Sequence, residues 1–346
     1  MRSNFASRIF YGALVMAGVI VIVFILFEGF GDPARLIMGQ RADAGTLNNI
    51  RKELYLDQPK WKQFVFYLND VSPISIYRKQ ELQEKNIKFI GIGSETKLVL
   101  KFPYLRRSYQ TRKDVWTMLT DALPGTIILA SAAMLIATVL GIALGVLAAV
   151  KKNTWMDTTA IISSVIGISA PSFFMSIVIA YVFGFLLSQY TGLQMTGSLF
   201  NTDPFTGRQW ELKNLILPAI TLGIRPLAII AQLTRGSMLD ILNQDYIRTA
   251  YAKGLSKKQV IWRHGLRNAL NPVITAITGW FAELLAGAFF VEYIFGWNGI
   301  GRLTVDALAK LDFPVVMGSV LVTSFFFIVV NMLADWLYRV VDPRVT

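Results

Sequence analysis

Six stretches of this 346-residue chain, 9–30, 125–150, 159–187, 215–233, 272–295 and 314–337, are each long and apolar enough to cross a bilayer. A hydrocarbon core about 30 Å thick needs about 20 mostly apolar residues when each adds 1.5 Å of helix. Lipid offers the backbone no partners, so such runs must bond internally and are read as helices. No other stretch would make a seventh span. Composition agrees: 54% of residues are hydrophobic and 16% charged, where about 25% charged is ordinary for a soluble domain. The expected fold class is an all-α polytopic membrane protein with six transmembrane helices.

Two runs need comment. Arg2 and Arg8 precede the first, as in a signal peptide, but the run is longer than the usual apolar region. It leads into Glu28-Gly29-Phe30-Gly31-Asp32 instead of a small-residue cleavage site, so a retained helix is expected. The fourth run holds Pro218, Arg225 and Pro226. Proline is tolerated in a span when neighbours satisfy the freed carbonyl, so a kinked helix is expected there.

Lys and Arg set orientation. With the N-terminus inside, the inner segments hold thirteen of them and the short outer loops only Arg208, Lys213, Arg302 and Lys310. Both termini are therefore expected in the cytoplasm, with residues 1–30 forming the N-terminus and first helix. Residues 31–124 become an extracytoplasmic α+β module and 125–346 a five-helix core with a cytoplasmic loop at 234–270. Inside the outer module, 47–68 has helical spacing broken by Pro59, and 88–102 has two β-prone runs around Gly91, Gly93 and Ser94. The net charge of +12 is thus mostly an orientation signal and no sign of nucleic acid.

Several chemistries are missing. The chain has no cysteine, hence no disulfide, thiolate metal site or cysteine nucleophile. His264 alone cannot build a metal centre or a catalytic triad. The stretch nearest to a phosphate-binding loop, Gly91-Ile92-Gly93-Ser94-Glu95-Thr96-Lys97, lacks the second glycine. No catalytic, metal or cofactor residue is expected, and the chain is not read as an enzyme. Arg225, Glu283 and Glu292 are ionisable groups within spans, at about 2.5–3.5 kcal/mol each on insertion scales. They mark either a polar translocation path or, respectively, an Arg225–Glu283 pair and a snorkelling Glu292. Residues 291–302, with Gly296, Gly299 and Gly301, read as an outer gate or a plain loop. Ala137, Gly141 and Gly145 form a small-residue stripe suited to close helix packing, within the chain or with a partner.

The most informative segment is 234–270. A helix is expected to stop at Gly254, which can take the left-handed conformation, and to restart under a Ser256 cap, with Pro272 opening the next span. Ala250 and Gly254, four apart, would share a flat face open to a partner. A solvated basic helix pair explains the lysines but not the small face, glycine stop and capped restart together.

These residues resemble the permease subunits of peptide and nickel ABC importers, whose cytoplasmic signature is E-A-A-x-x-x-G. Arg248, Thr249 and Ala250 stand at the E-A-A positions and Gly254 at the glycine, and 246–254, from Tyr246, match the peptide branch's Y-[VI]-R-T-A-x-A-K-G. His264, Leu266, Arg267, Asn268, Ala269, Leu270 and Pro272 resemble its R-H-x-L-R-N-A-L-x-P, whereas the general I-x-L-P form is not met. Gly31-Asp32-Pro33-Ala34, Leu54-Tyr55-Leu56-Asp57-Gln58-Pro59, the Val291–Arg302 segment and Asp342-Pro343-Arg344 extend the similarity, with 71–101 as an apparent insertion. The resemblance implies a type I importer permease like the first of the two permeases of dipeptide and oligopeptide importers, in a bacterial inner membrane. It implies partners: a second permease in a heterodimer, two ATPase subunits carrying ATP and magnesium, an extracytoplasmic substrate-binding protein and membrane lipid. Tyr246, Arg248, Thr249, Ala250, Gly254, His264, Arg267, Asn268 and Pro272 would form the ATPase-coupling loop. Against it stand a channel or ion-coupled carrier, which would need midplane coupling residues and usually an inverted repeat, a membrane-anchored binding module, and a nickel or other small-solute importer of the same family.

Overall fold

The computed structural model describes residues 2–29, 51, 56–78, 89–92, 96–203 and 207–341. They form two compact units, Met1–Ala122 with Leu303–Phe325, and Leu123–Arg302 with Phe326–Thr346. Among the described residues, five helical stretches are long and apolar enough to span a membrane: Ser7–Glu28, Val115–Val150, Leu212–Leu242, Lys257–Ala286 and Phe313–Ala334. The third apolar run differs. It is two helices, α4 (Trp155–Ser169) and α5 (Ser172–Tyr181, continued by a wide turn over Val182–Leu186), meeting at 110°. Pro171 disfavours helical dihedrals in the preceding residue, and here Ala170 is extended, with ψ of 127°. An apolar count over 159–187 carries no trace of this break, so the expected single span becomes a bent pair.

In the first unit α1 (Arg2–Gly29) meets α2 (Lys60–Val71) through Phe24, whose ring lies 5.1 Å from Phe64 and 5.9 Å from Tyr67. Helix α2 starts directly after Pro59, where the break was expected. The first half of that helix pair lies largely outside the described residues, as do Gly31 to Ala34, Leu54 and Tyr55, and Asp342 to Arg344. Strands β1 (Ile74–Arg78), β2 (Phe89–Ile92) and β3 (Thr96–Lys101) make an antiparallel sheet in the order β1-β3-β2. The two β-prone runs of 88–102 are β2 and β3, paired antiparallel with Phe89 opposite Lys101 and Ile92 opposite Leu98; residues 93–95 lie outside the described set. Strand β1 was not foreseen. Buried Asp70 joins these elements, accepting from the Tyr77 hydroxyl at 2.7 Å and Arg106 Nε at 3.1 Å. Burial pushes the nearby Tyr67 phenol upward, with Arg106 opposing and Asp70 adding.

The second unit is built around α3 (Val115–Val150), α6 (Ile216–Leu242) and α8 (Arg267–Gly287), with buried Leu129, Ala133, Ile230, Val273, Leu284 and Phe295 at its core. Gly141 and Gly145 face α6 so closely that a Cβ would press on Leu227 O at 2.9 Å and Ala231 O at 2.6 Å. The small-residue stripe therefore serves packing within the chain. Pro218 falls in the first turn of α6, where its missing N–H costs no helical bond, and only Pro226 interrupts the interior.

Two boundaries in the 234–270 segment are corrected. Helix α6 runs past the apolar limit at 233 to Leu242. Pro272 does not open the next span: helical turns run from Lys257, through a π-helical Val260–Leu266, into α8, which contains Pro272 in its second turn. The apolar run begins at 272 because the preceding turns are basic, although the helix itself is continuous.

Candidate functional site

Helix α7 (Asp245–Ala252) is the short element between α6 and the turns leading to α8. It is closed by Gly254, with φ of +80°, whose N–H donates to Tyr251 O at 2.9 Å. The chain restarts with a capping box: Ser256 Oγ accepts from Gln259 N and the Gln259 side chain returns to Ser256 N at 3.1 Å. Ile247 and Ala250 turn inward onto Val260, Leu242 and Leu255. That corrects one reading. Ala250 is 6% exposed and shares no open face with Gly254; its small side chain lets the chain's own next helix approach. The outward face consists of Tyr246, Arg248, Thr249, Tyr251, Lys253 and Gly254, and nothing lies within 4 Å of a Cβ built on Gly254. Asn268, on α8, donates to the Tyr246 hydroxyl at 3.0 Å and so ties α7 to the longer helix; Arg267 and Pro272 are exposed and His264 is half-buried.

The second constellation surrounds Glu292 on α9 (Phe289–Phe295), which is followed by α10 (Ile300–Ala309). Glu292 is 0% exposed, so the snorkelling alternative fails. Its carboxylate accepts from Thr126 Oγ1 at 2.8 Å and Arg302 N at 3.2 Å, and Thr126 Oγ1 in turn accepts from Ile300 N at 2.9 Å. Gly299 and Gly301 have no room for a side chain: a Cβ on Gly299 would run into this carboxylate, and one on Gly301 into the Phe289 backbone at 2.7 Å as well as the carboxylate. Gly296 takes φ of +65° and closes α9, and Arg302 holds its carbonyl at 2.6 Å. Buried Trp297 donates to Gly125 O at 2.9 Å. The 291–302 segment is a tied knot of buried polar bonds rather than a plain loop.

Arg225 and Glu283 are both exposed and both line one cavity of about 90 Å³, walled also by Gly167, Ser172, Thr221 and Trp280. They do not pair. Arg225 instead lies over Trp280, its guanidinium carbon 5.5 Å from the ring centroid, and neither residue has an ion-pair partner among the described residues.

One ion pair was missed in the sequence. Asp157, at the start of α4, accepts two bonds from one edge of the Arg235 guanidinium of α6, from Nη2 at 2.8 Å and Nε at 2.5 Å, and a third from Asn153 N at 3.0 Å. Opposite charges at the same-side ends of two neighbouring apolar runs were the available signal.

Comparison with known proteins places this geometry. Residues 141–346 match the family described as the inner membrane component of binding-protein-dependent transport systems, and 2–130 match that component's N-terminal family. The dipeptide transport system permease protein DppB of Alkalihalophilus pseudofirmus is 32% identical, covering 96% of this chain and 95% of its own. DppB of Escherichia coli K12 is 36% identical (91% and 90% covered), and the glutathione transport system permease protein GsiC of the same strain 33% identical (99% and 98%). The chain belongs to the family of binding-protein-dependent transport system inner membrane components. It is a multi-pass permease subunit of an ABC importer, working with an ATPase and a binding protein.

Proposed function

We propose that this chain and a second permease line the pathway by which di- or oligopeptides, delivered by an extracytoplasmic binding protein, enter the cell. The observation that carries the reading is similarity along nearly the whole chain to permeases named for dipeptides and for glutathione, itself a peptide. In this account the bent α4–α5 pair is the sixth span, both termini are cytoplasmic, and residues 31–124 form the outer module facing the binding protein.

Two ATPase subunits hold ATP and magnesium, and one of them receives α7. The exposed Arg248, Thr249 and Gly254 form the docking surface, while the inward Ile247 and Ala250 weld α7 to the α8 end. A push on α7 then reaches α8 as a lever, because the helix from Lys257 onward is unbroken. Glu292 and Gly296, Gly299 and Gly301 hold the outer segment of the path; Arg225 and Glu283 lie along it.

Deleting the gene should abolish uptake of a radiolabelled dipeptide from medium at micromolar concentration, and the cloned gene should restore it. Unchanged uptake, in a strain whose other peptide permeases are removed, would refute the peptide assignment.

A further inference from the structure

Two cavities lie along α6. One, of about 330 Å³, is walled by Leu144, Trp155, Thr159, Leu227 and Ala231 and is almost wholly apolar. The other is the cavity of about 90 Å³ that holds Arg225 and Glu283, and Ile224 lines both. Two features of the smaller cavity are unusual for a membrane interior. Charges there normally neutralise one another or face a watery path, yet Arg225 and Glu283, on adjacent walls, leave their opposite charges unpaired. Second, Arg225 is steadied by the Trp280 face, a contact that holds the guanidinium while leaving its N–H fork free to bind.

We infer that this cavity is a subsite for the two ends of a zwitterionic peptide, with Arg225 receiving the carboxylate and Glu283 the ammonium. The inference rests on the peptide-import reading and adds the residues that recognise the cargo inside the membrane. A guanidinium fork matches a carboxylate's two oxygens, and a carboxylate is the natural acceptor for an ammonium's three donors. The smaller cavity takes the charged ends and the short backbone that joins them, and the side chains of the peptide extend beyond it. A ligand with both charges replaces two separate desolvation costs by two paired contacts; a neutral solute cannot.

The test is a chemical double-mutant cycle on the whole importer complex in lipid nanodiscs, without the binding protein. Equilibrium binding of radiolabelled dialanine, N-acetyl-dialanine and dialanine amide is measured for wild type, Glu283→Gln and Arg225→Gln. Acetylation and Glu283→Gln should each weaken binding about tenfold, and combined should cost no more than either alone. Amidation should behave likewise with Arg225→Gln, whereas the crossed combinations should multiply. Matched losses that multiply, absence of dialanine binding to wild type, or variants that lose the second permease on purification would each overturn the subsite. ATP-driven uptake with the binding protein present separates the two levels: uptake by wild type without the matched cycle rejects the subsite alone, and no uptake rejects the peptide-import reading with it.

Discussion

At the scale of single residues, the bonds that matter are buried polar ones in an otherwise apolar protein. Thr126 carries two of them, to Glu292 and from Ile300 N. Thr126→Val keeps the shape and removes both, leaving the buried carboxylate one donor short, which should cost about 1–3 kcal/mol. Thermal unfolding of the detergent-solubilised chain should show a clear drop; Asn298→Ala, at an exposed acceptor of Arg302, should shift it little. An unmoved midpoint for Thr126→Val would contradict the knot. Asp157 and Arg235 form the other decisive pair. Arg235 is partly exposed, so Asp157→Asn should cost about 1–3 kcal/mol, below the full value of a buried pair. The double variant Asp157→Asn/Arg235→Gln should cost less than the sum of the single ones, and strict additivity would remove the pair from the account. These residues show the limit of reading a sequence: Glu292 stood out as a charge in a span, but its partner Thr126 is 166 positions away and carries no local signal.

Among elements, the apolar runs were legible because lipid demands length and hydrophobicity, and they located every long helix among the described residues. Their ends were not legible. Helix α6 and the turns before α8 extend beyond the apolar limit because a helix does not require apolar residues, and lysine, arginine and glutamine continue one about as readily as leucine does. The α4–α5 bend was missed because Pro171 sits within an unbroken apolar run. In the segment around α7 the glycine stop and serine cap were readable from local chemistry, whereas the direction of Ala250 depended on which side α8 would pack. Gly254 is the position on which this element turns. Its φ of +80° would cost an alanine about 1–2 kcal/mol, although the surrounding space is open. Gly254→Ala should therefore lower ATPase co-purification modestly. Gly254→Glu should abolish it while leaving membrane insertion intact, and normal recovery of the ATPase with the glutamate variant would sink the docking role of α7.

For the molecule as a whole, the division of labour follows from what the chain contains. It provides apolar helices that cross a membrane, a cavity with two unpaired charges, and a short helix whose inner face packs on the turns leading into the span while its outer face is open. No group of histidine, cysteine, aspartate or glutamate able to hold a metal ion occurs among the described residues. In the proposed account the driving chemistry belongs to the ATPase subunits and its delivery to α7. The direct measurement is uptake of radiolabelled dialanine into proteoliposomes, with the chain alone, with its second permease, and with the complete importer plus binding protein and ATP. The account predicts accumulation only in the complete system, lost when ATP is omitted or Gly254→Glu is introduced. Uptake by the chain without its ATPase would contradict it.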